Sequence, residues 1–227
     1  MPFSFYNRRQ QQSWMEPQPE PCLRKRSTIT IVLGPMFAGK TSYMLAELRK
    51  ELVAKRKIVL IKHVKDKRYS SEARVVTHDN VSMTAIERTS LRQKEGETDD
   101  GIMSADVIGV DEGQFFDDIA EACEMWANMG IRVIVAACQS TYNRKPFKHI
   151  PELLAKSDII VHLTAICVGC YGPASFTERV RSPSSTPEPS PSQASEIHVG
   201  GSELYSPVCR DCYYERGLKR SAVQLDT

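Results

Sequence analysis

Apolar positions along this chain gather in short, β-branched runs set apart by polar or helix-patterned stretches. From Thr28 the run Ile29-Thr30-Ile31-Val32-Leu33 stops at Gly34, which predicts a buried strand broken by a glycine turn. From Ser42 to Lys57 the residues Leu45, Leu48 and Leu52 recur at helical spacing and predict a helix with one apolar stripe. Ile58 to Ile61, Val107 to Val110, Ile131 to Ala137 and Ile159 to Leu163 are continuous apolar runs, the pattern of parallel strands covered on both faces. The expected fold class is therefore α/β with a parallel sheet. Glu87 to Asp100 is charged and carries Gly96, and it reads as an exposed loop, with helix over part of it as the alternative.

The pattern also divides the chain. Residues 1–26, rich in Gln, Pro and Arg without apolar periodicity, read as a disordered tail. The α/β pattern occupies 27–164. After Leu163 it gives way to cysteines and aromatics over 165–215, a second, loop-rich module. Within it, nine of the twelve residues from Ser182 to Gln193 are Pro or Ser, which marks a flexible insertion. Residues 216–227 read as a C-terminal tail.

Composition narrows the options. An apolar fraction of 41% over 227 residues supports a buried core, and a formal charge of +2 calls for no nucleic-acid or acidic-lipid partner. No apolar run reaches the roughly 18 residues of a membrane span, and no secretory signal opens the chain. A cytoplasmic location is expected, where regularly spaced cysteines point to metal rather than disulfides.

Three motifs carry chemistry. Gly34-Pro35-Met36-Phe37-Ala38-Gly39-Lys40-Thr41 fits the phosphate-loop pattern, with its glycines letting backbone N–H groups curl around phosphate oxygens. The fixed positions alone arise by chance in roughly one chain of this length in a hundred, so the flanking strand and helix matter to the assignment. Lys40 is expected to reach the β and γ phosphates of ATP, and the Thr41 hydroxyl to ligate Mg²⁺. Asp111 and Glu112 end the run from Val107, at the edge where α/β sheets place ligands. Asp111 is expected on the metal side, directly or through water. Glu112, one residue further into the crevice, is expected to act as base. Cys167-x-x-Cys170 and Cys209-x-x-Cys212 offer four thiolates for a closed structural zinc site. Cys22, Cys123 and Cys138 have no such spacing and read as tail or core thiols.

Together with Lys65-Asp66-Lys67-Arg68-Tyr69-Ser70, Asp111-Glu112-Gly113-Gln114-Phe115-Phe116 and Arg144-Lys145-Pro146-Phe147, these motifs resemble the type II, or cytosolic, thymidine kinase family from about Thr28 to Tyr214. The resemblance implies a RecA-like phosphate-loop domain and a small zinc-held lasso domain that closes over thymidine, with thymidine 5′-monophosphate as product. It implies Glu112 as general base, Asp66 beside magnesium, and Arg68 and Gln114 with the phosphate-binding set. It implies a pocket from Met36, Phe115, Tyr142, Phe147, Phe176, Thr177 and Tyr205. Residues 195–201, including Ile197, His198, Val199 and Gly200, are expected to grip the base edge. A homotetramer is implied as well. This chain departs from the family where Leu-Asp-Gly-Thr-Phe is common, reading Cys138-Gln139-Ser140-Thr141-Tyr142, so the pocket wall at Cys138 is altered. The alternatives are a motor ATPase and a non-catalytic zinc module. The first would need basic nucleic-acid contacts, and the second leaves the phosphate loop unexplained.

Overall fold

The computed structural model describes residues 27–65, 74–76, 82–92, 101–180 and 201–216. Asp66, Arg68, Ile197, His198, Val199, Gly200, the N-terminal tail, the insertion 182–193 and all but the first residue of the C-terminal tail lie outside the described residues.

In chain order the elements are β1 (Ile29–Gly34), α1 (Lys40–Val53), β2 (Ile58–His63), β3 (Arg74–Val76), β4 (Ser82–Thr84), β5 (Ile86–Arg88), β6 (Val107–Val110), α2 (Ile119–Asn128), β7 (Arg132–Cys138), α3 (Ile150–Lys156) and β8 (Ile159–His162). They are followed by β9 (Ala165–Ile166), β10 (Pro173–Ala174), β11 (Phe176–Arg179) and β12 (Tyr205–Val208). Residues 210–216 form a last helix. The main sheet is parallel, with order β5-β2-β6-β7-β1-β8. β9 pairs with β10, β11 with β12 and β3 with β4, each antiparallel.

Alternation along the central strands sets the two faces of the sheet. Val133 and Val135 of β7 join Ile31, Ile108, Trp126 and Leu153 on the side of α2 and α3. Ile134 and Ala136 join Val32, Met44, Leu45 and Leu48 on the side of α1. Gly109 in β6 follows from this packing, since a Cβ there would meet Leu48 Cδ1 at 2.7 Å. α1 therefore lies close against the strand.

Three expectations need correction. The first helix begins at Lys40, directly after the left-handed Gly39, and stops at Val53, not over 42–57. Its buried apolar stripe is Met44, Leu45 and Leu48, while Leu52 is 50% exposed, because in the last turn it is Glu51, paired with Arg132 at the start of β7, that faces the sheet. Part of the segment from Glu87 is structured rather than loop. β5 extends the main sheet, with Glu87 pairing with the buried Lys62 at 3.0 Å. Leu91 is buried, and the carboxylate of Asp118 accepts from the N–H groups of Leu91 and Arg92 at 2.9 and 2.8 Å and so pins the turn.

Candidate active site

The phosphate loop leaves the C-terminal end of β1. Gly34 is required there by close approach, since a Cβ would fall 2.5 Å from the Leu163 carbonyl oxygen. Gly39 takes φ 78°, the left-handed conformation that glycine adopts without a steric penalty, and this lets α1 start at Lys40 with its N–H groups toward the loop. Lys40 Nζ donates to the Pro35 carbonyl at 2.8 Å. The Met36 N–H donates to Thr177 Oγ1 of β11 at 3.0 Å, so the cysteine-bearing module touches the loop itself.

Two strands away, β6 delivers the acids. Thr41 Oγ1 donates to Asp111 Oδ1 at 2.9 Å, joining the loop to the strand end. Asp111 is held by its own N–H, which donates to the Ile61 carbonyl at 2.9 Å. Glu112 is buried and has φ 51°, a left-handed conformation that is uncommon in a residue with a side chain and is found at functional sites. The 3₁₀ turn Gly113–Phe115 follows. Gly113 fits against β7 only without a side chain, since a Cβ would stand 2.5 Å from Val135 Cγ1. Gln114 Nε2 donates to Glu112 Oε2, and Gln114 Oε1 accepts from the Cys138 N–H at 2.9 Å.

The expected pocket residues separate into groups. Met36 and Thr177 meet through the bond above. Tyr142 and Tyr205 face one another with ring centroids 6.3 Å apart, and burial, together with the nearby Tyr142 and Cys138, pushes the Tyr205 hydroxyl up so that it stays neutral. Cys138 is buried at the end of β7 beside them. Phe115 packs 5.8 Å from the His63 ring. Phe147 instead packs against the main core. Phe176 lies in the small core of the second module, 6.1 Å from the Tyr213 ring and with Arg144 and Arg210 over its own ring. Cys123 is a core thiol, raised by burial.

Motif reading missed several contributors. His63 packs on both Phe115 and Phe116. Gln139 bridges the two modules, its Oε1 accepting from His162 Nε2 at 2.6 Å and its Nε2 donating to the Ser175 carbonyl at 2.9 Å. Tyr213 donates its hydroxyl to the Tyr142 carbonyl at 3.1 Å. Only Gln139 left a trace in the sequence, as a departure from the family pattern.

Cys167, Cys170, Cys209 and Cys212 converge, with all four sulfurs within 4.8 Å of one another. A tetrahedral zinc with bonds of about 2.3 Å spaces its sulfurs about 3.8 Å apart, and Cys170 and Cys209 are 3.7 Å apart. The donor set fits zinc. Burial pushes the Cys167 thiol up, but N–H groups of Cys209 and Gly169 directed at its sulfur outweigh that effect and bring it down to about 6. Hydrogen bonds with Cys209 and Cys167 push Cys212 up to about 12.

A parallel sheet carrying a phosphate loop, strand-end carboxylates and a four-cysteine module defines a nucleotide-dependent phosphotransferase of the P-loop class. A family model described as thymidine kinase matches residues 27–213. The thymidine kinase of Yaba monkey tumor virus is 43% identical over 82% of this chain and 94% of its own length. The cytosolic thymidine kinase of Homo sapiens is 39% identical over 88% of this chain and 78% of its own, and that of Cricetulus griseus 40% identical over 88% and 77%. The chain belongs to the thymidine kinase family.

Proposed function

We propose that this chain transfers the γ-phosphate of ATP to the 5′-hydroxyl of thymidine, giving thymidine 5′-monophosphate and ADP in pyrimidine salvage. The observation that carries this reading is the Thr41–Asp111 bond of 2.9 Å, which joins the phosphate loop to the strand end bearing Glu112 within a chain of the thymidine kinase family. The loop's N–H groups and Lys40 hold the β and γ phosphates, with Arg68 beside them. A hydroxyl that gives its proton to Asp111 keeps its lone pairs for a cation, so Thr41 is suited to Mg²⁺, with Asp66 as its partner. Bound magnesium would neutralise charge on the transferring phosphoryl group. Glu112 takes the proton of the 5′-hydroxyl as the oxygen attacks the γ-phosphorus. Tyr142, Tyr205 and Cys138 wall the base, and residues 195–201 close over it. Zinc supplies the frame of that lid.

A cytoplasmic location is in keeping with the relatives named cytosolic, and a homotetramer is proposed from the family resemblance alone. Among the described residues, no helix is long and apolar enough to cross a membrane. The direct test incubates the protein with ATP, Mg²⁺ and thymidine and follows the monophosphate. ATP hydrolysis that rises with single-stranded DNA and ignores thymidine would overturn the assignment in favour of a motor ATPase.

A further inference from the structure

We infer that Gln114 is a positioning residue that ties Glu112 to the strand position beside the phosphate loop. The inference rests on Glu112 being the base. The resemblance groups Gln114 with phosphate-binding residues, yet both ends of its amide are engaged elsewhere. Its oxygen accepts from the Cys138 N–H at 2.9 Å, and its nitrogen donates to Glu112 Oε2. The main-chain donor decides which way the amide faces: an N–H can be met only by the oxygen, so the NH₂ group is presented to the carboxylate.

The anchor point matters more than the bond. Cys138 is the register partner of Gly34, the first glycine of the phosphate loop. The base and the loop are therefore referenced to one rung of the central sheet, through one side chain. The turn between Glu112 and Gln114 cannot drift, because Gly113 is seated on Val135 and the Phe115 N–H donates to the Glu112 carbonyl at 3.0 Å. A left-handed backbone at Glu112 aims its side chain, and the Gln114 amide fixes where its oxygens end. Displacement of a reacting group by about 1 Å costs up to about 100-fold in rate, so a tether of this kind acts on turnover.

Two isosteric variants test this. In Gln114→Met the volume stays and both bonds go. We expect kcat to fall about 10- to 100-fold, with KM for ATP and for thymidine within about threefold of the unaltered protein. In Gln114→Glu the acceptor for Cys138 N–H stays, but a second carboxylate faces Glu112. Adjacent carboxylates share a proton, so the acid limb of the pH–kcat profile should move to higher pH. The titratable groups at the ends of the neighbouring elements that lie toward the phosphate loop include Asp111 after β6, Lys40 at the start of α1, His63 at the end of β2 and Cys138 at the end of β7. All are unchanged in both variants, so the displacement reports position 114. Gln114→Glu also carries the test should Gln114→Met not fold. In the Glu112→Gln background, Gln114→Met should lower kcat no further, because a residue acting through Glu112 has nothing left to position.

Full multiplicative loss in the double variant, or a raised KM for ATP with kcat kept, would overturn the inference and make Gln114 a phosphate ligand. An unmoved pH profile in Gln114→Glu would overturn it too. Near-normal turnover in Glu112→Gln would remove the base assignment and this inference with it. Normal turnover in Gln114→Met beside a disabled Glu112→Gln would remove the inference alone.

Discussion

Glu112 occupies a backbone conformation that costs a side-chain-bearing residue roughly 1–3 kcal/mol, and the turn after it is wedged on β7 without room for a methyl group. Glu112→Gln keeps the volume and removes the proton acceptor, so kcat should drop about 10²- to 10⁴-fold with thymidine binding retained. Steady-state kinetics beside thymidine titration check this, and near-normal turnover would exclude Glu112 from the chemistry. Gly113→Ala must displace Val135 or the turn itself, and overpacking of this kind costs about 1–3 kcal/mol. Its denaturation midpoint should fall, and its activity should fall further than the folded fraction does, because the turn carries Glu112. The acids were legible in the sequence because an apolar strand ending in two carboxylates has few other uses next to a phosphate loop. The Gln114 bond was not, since it depends on how the turn after β6 meets the end of β7, and that meeting across two paired strands leaves no local pattern.

At the scale of elements, the helical period located α1 but misjudged its extent. Periodicity marks apolar positions; it does not say which side chain of the last turn meets the sheet, and here that is Glu51, paired with Arg132 of β7. Leu48 is fully buried and packs over Gly109, whereas Leu52 is half exposed. Leu48→Ala should cost about 2–5 kcal/mol, and Leu52→Ala should stay within about 0.5 kcal/mol. Equal losses in denaturant titrations would contradict the burial reading. The same limit hid β5. A three-residue strand carrying Glu87 and Arg88 shows no apolar run, and what makes it a strand is its place beside β2, where Glu87 compensates the buried Lys62. The pinning of residues 90–92 by Asp118 is likewise a contact made across the fold.

For the whole molecule, the question is what keeps the second module seated on the α/β domain. Its buried apolar cluster is Ala165, Cys167, Ala174 and Val208, too small to offset the entropy of ordering so much loop. Zinc binding, worth about 10–16 kcal/mol in small finger peptides, is large enough to do so. Among the described residues the seat includes the bonds Met36 N–H to Thr177, Gln139 to Ser175, and Tyr213 to Tyr142, with Arg144 stacked 4.5 Å over the Tyr213 ring and Ala38 packed on the module's cluster. Among the described residues, the sheet core shares no buried residue with the module's cluster. Chelation should therefore abolish thymidine binding while the α/β domain keeps its helical signal and its melting transition, and purified protein should hold about one zinc per chain. Uptake of the metal displaces protons from thiols such as Cys212, held at about 12, so zinc affinity should rise with pH and fall in acid. Metal analysis, thymidine titration and melting curves before and after chelation check this at two pH values. A metal-free protein that still binds thymidine at full affinity would show that the interdomain bonds alone order the lid.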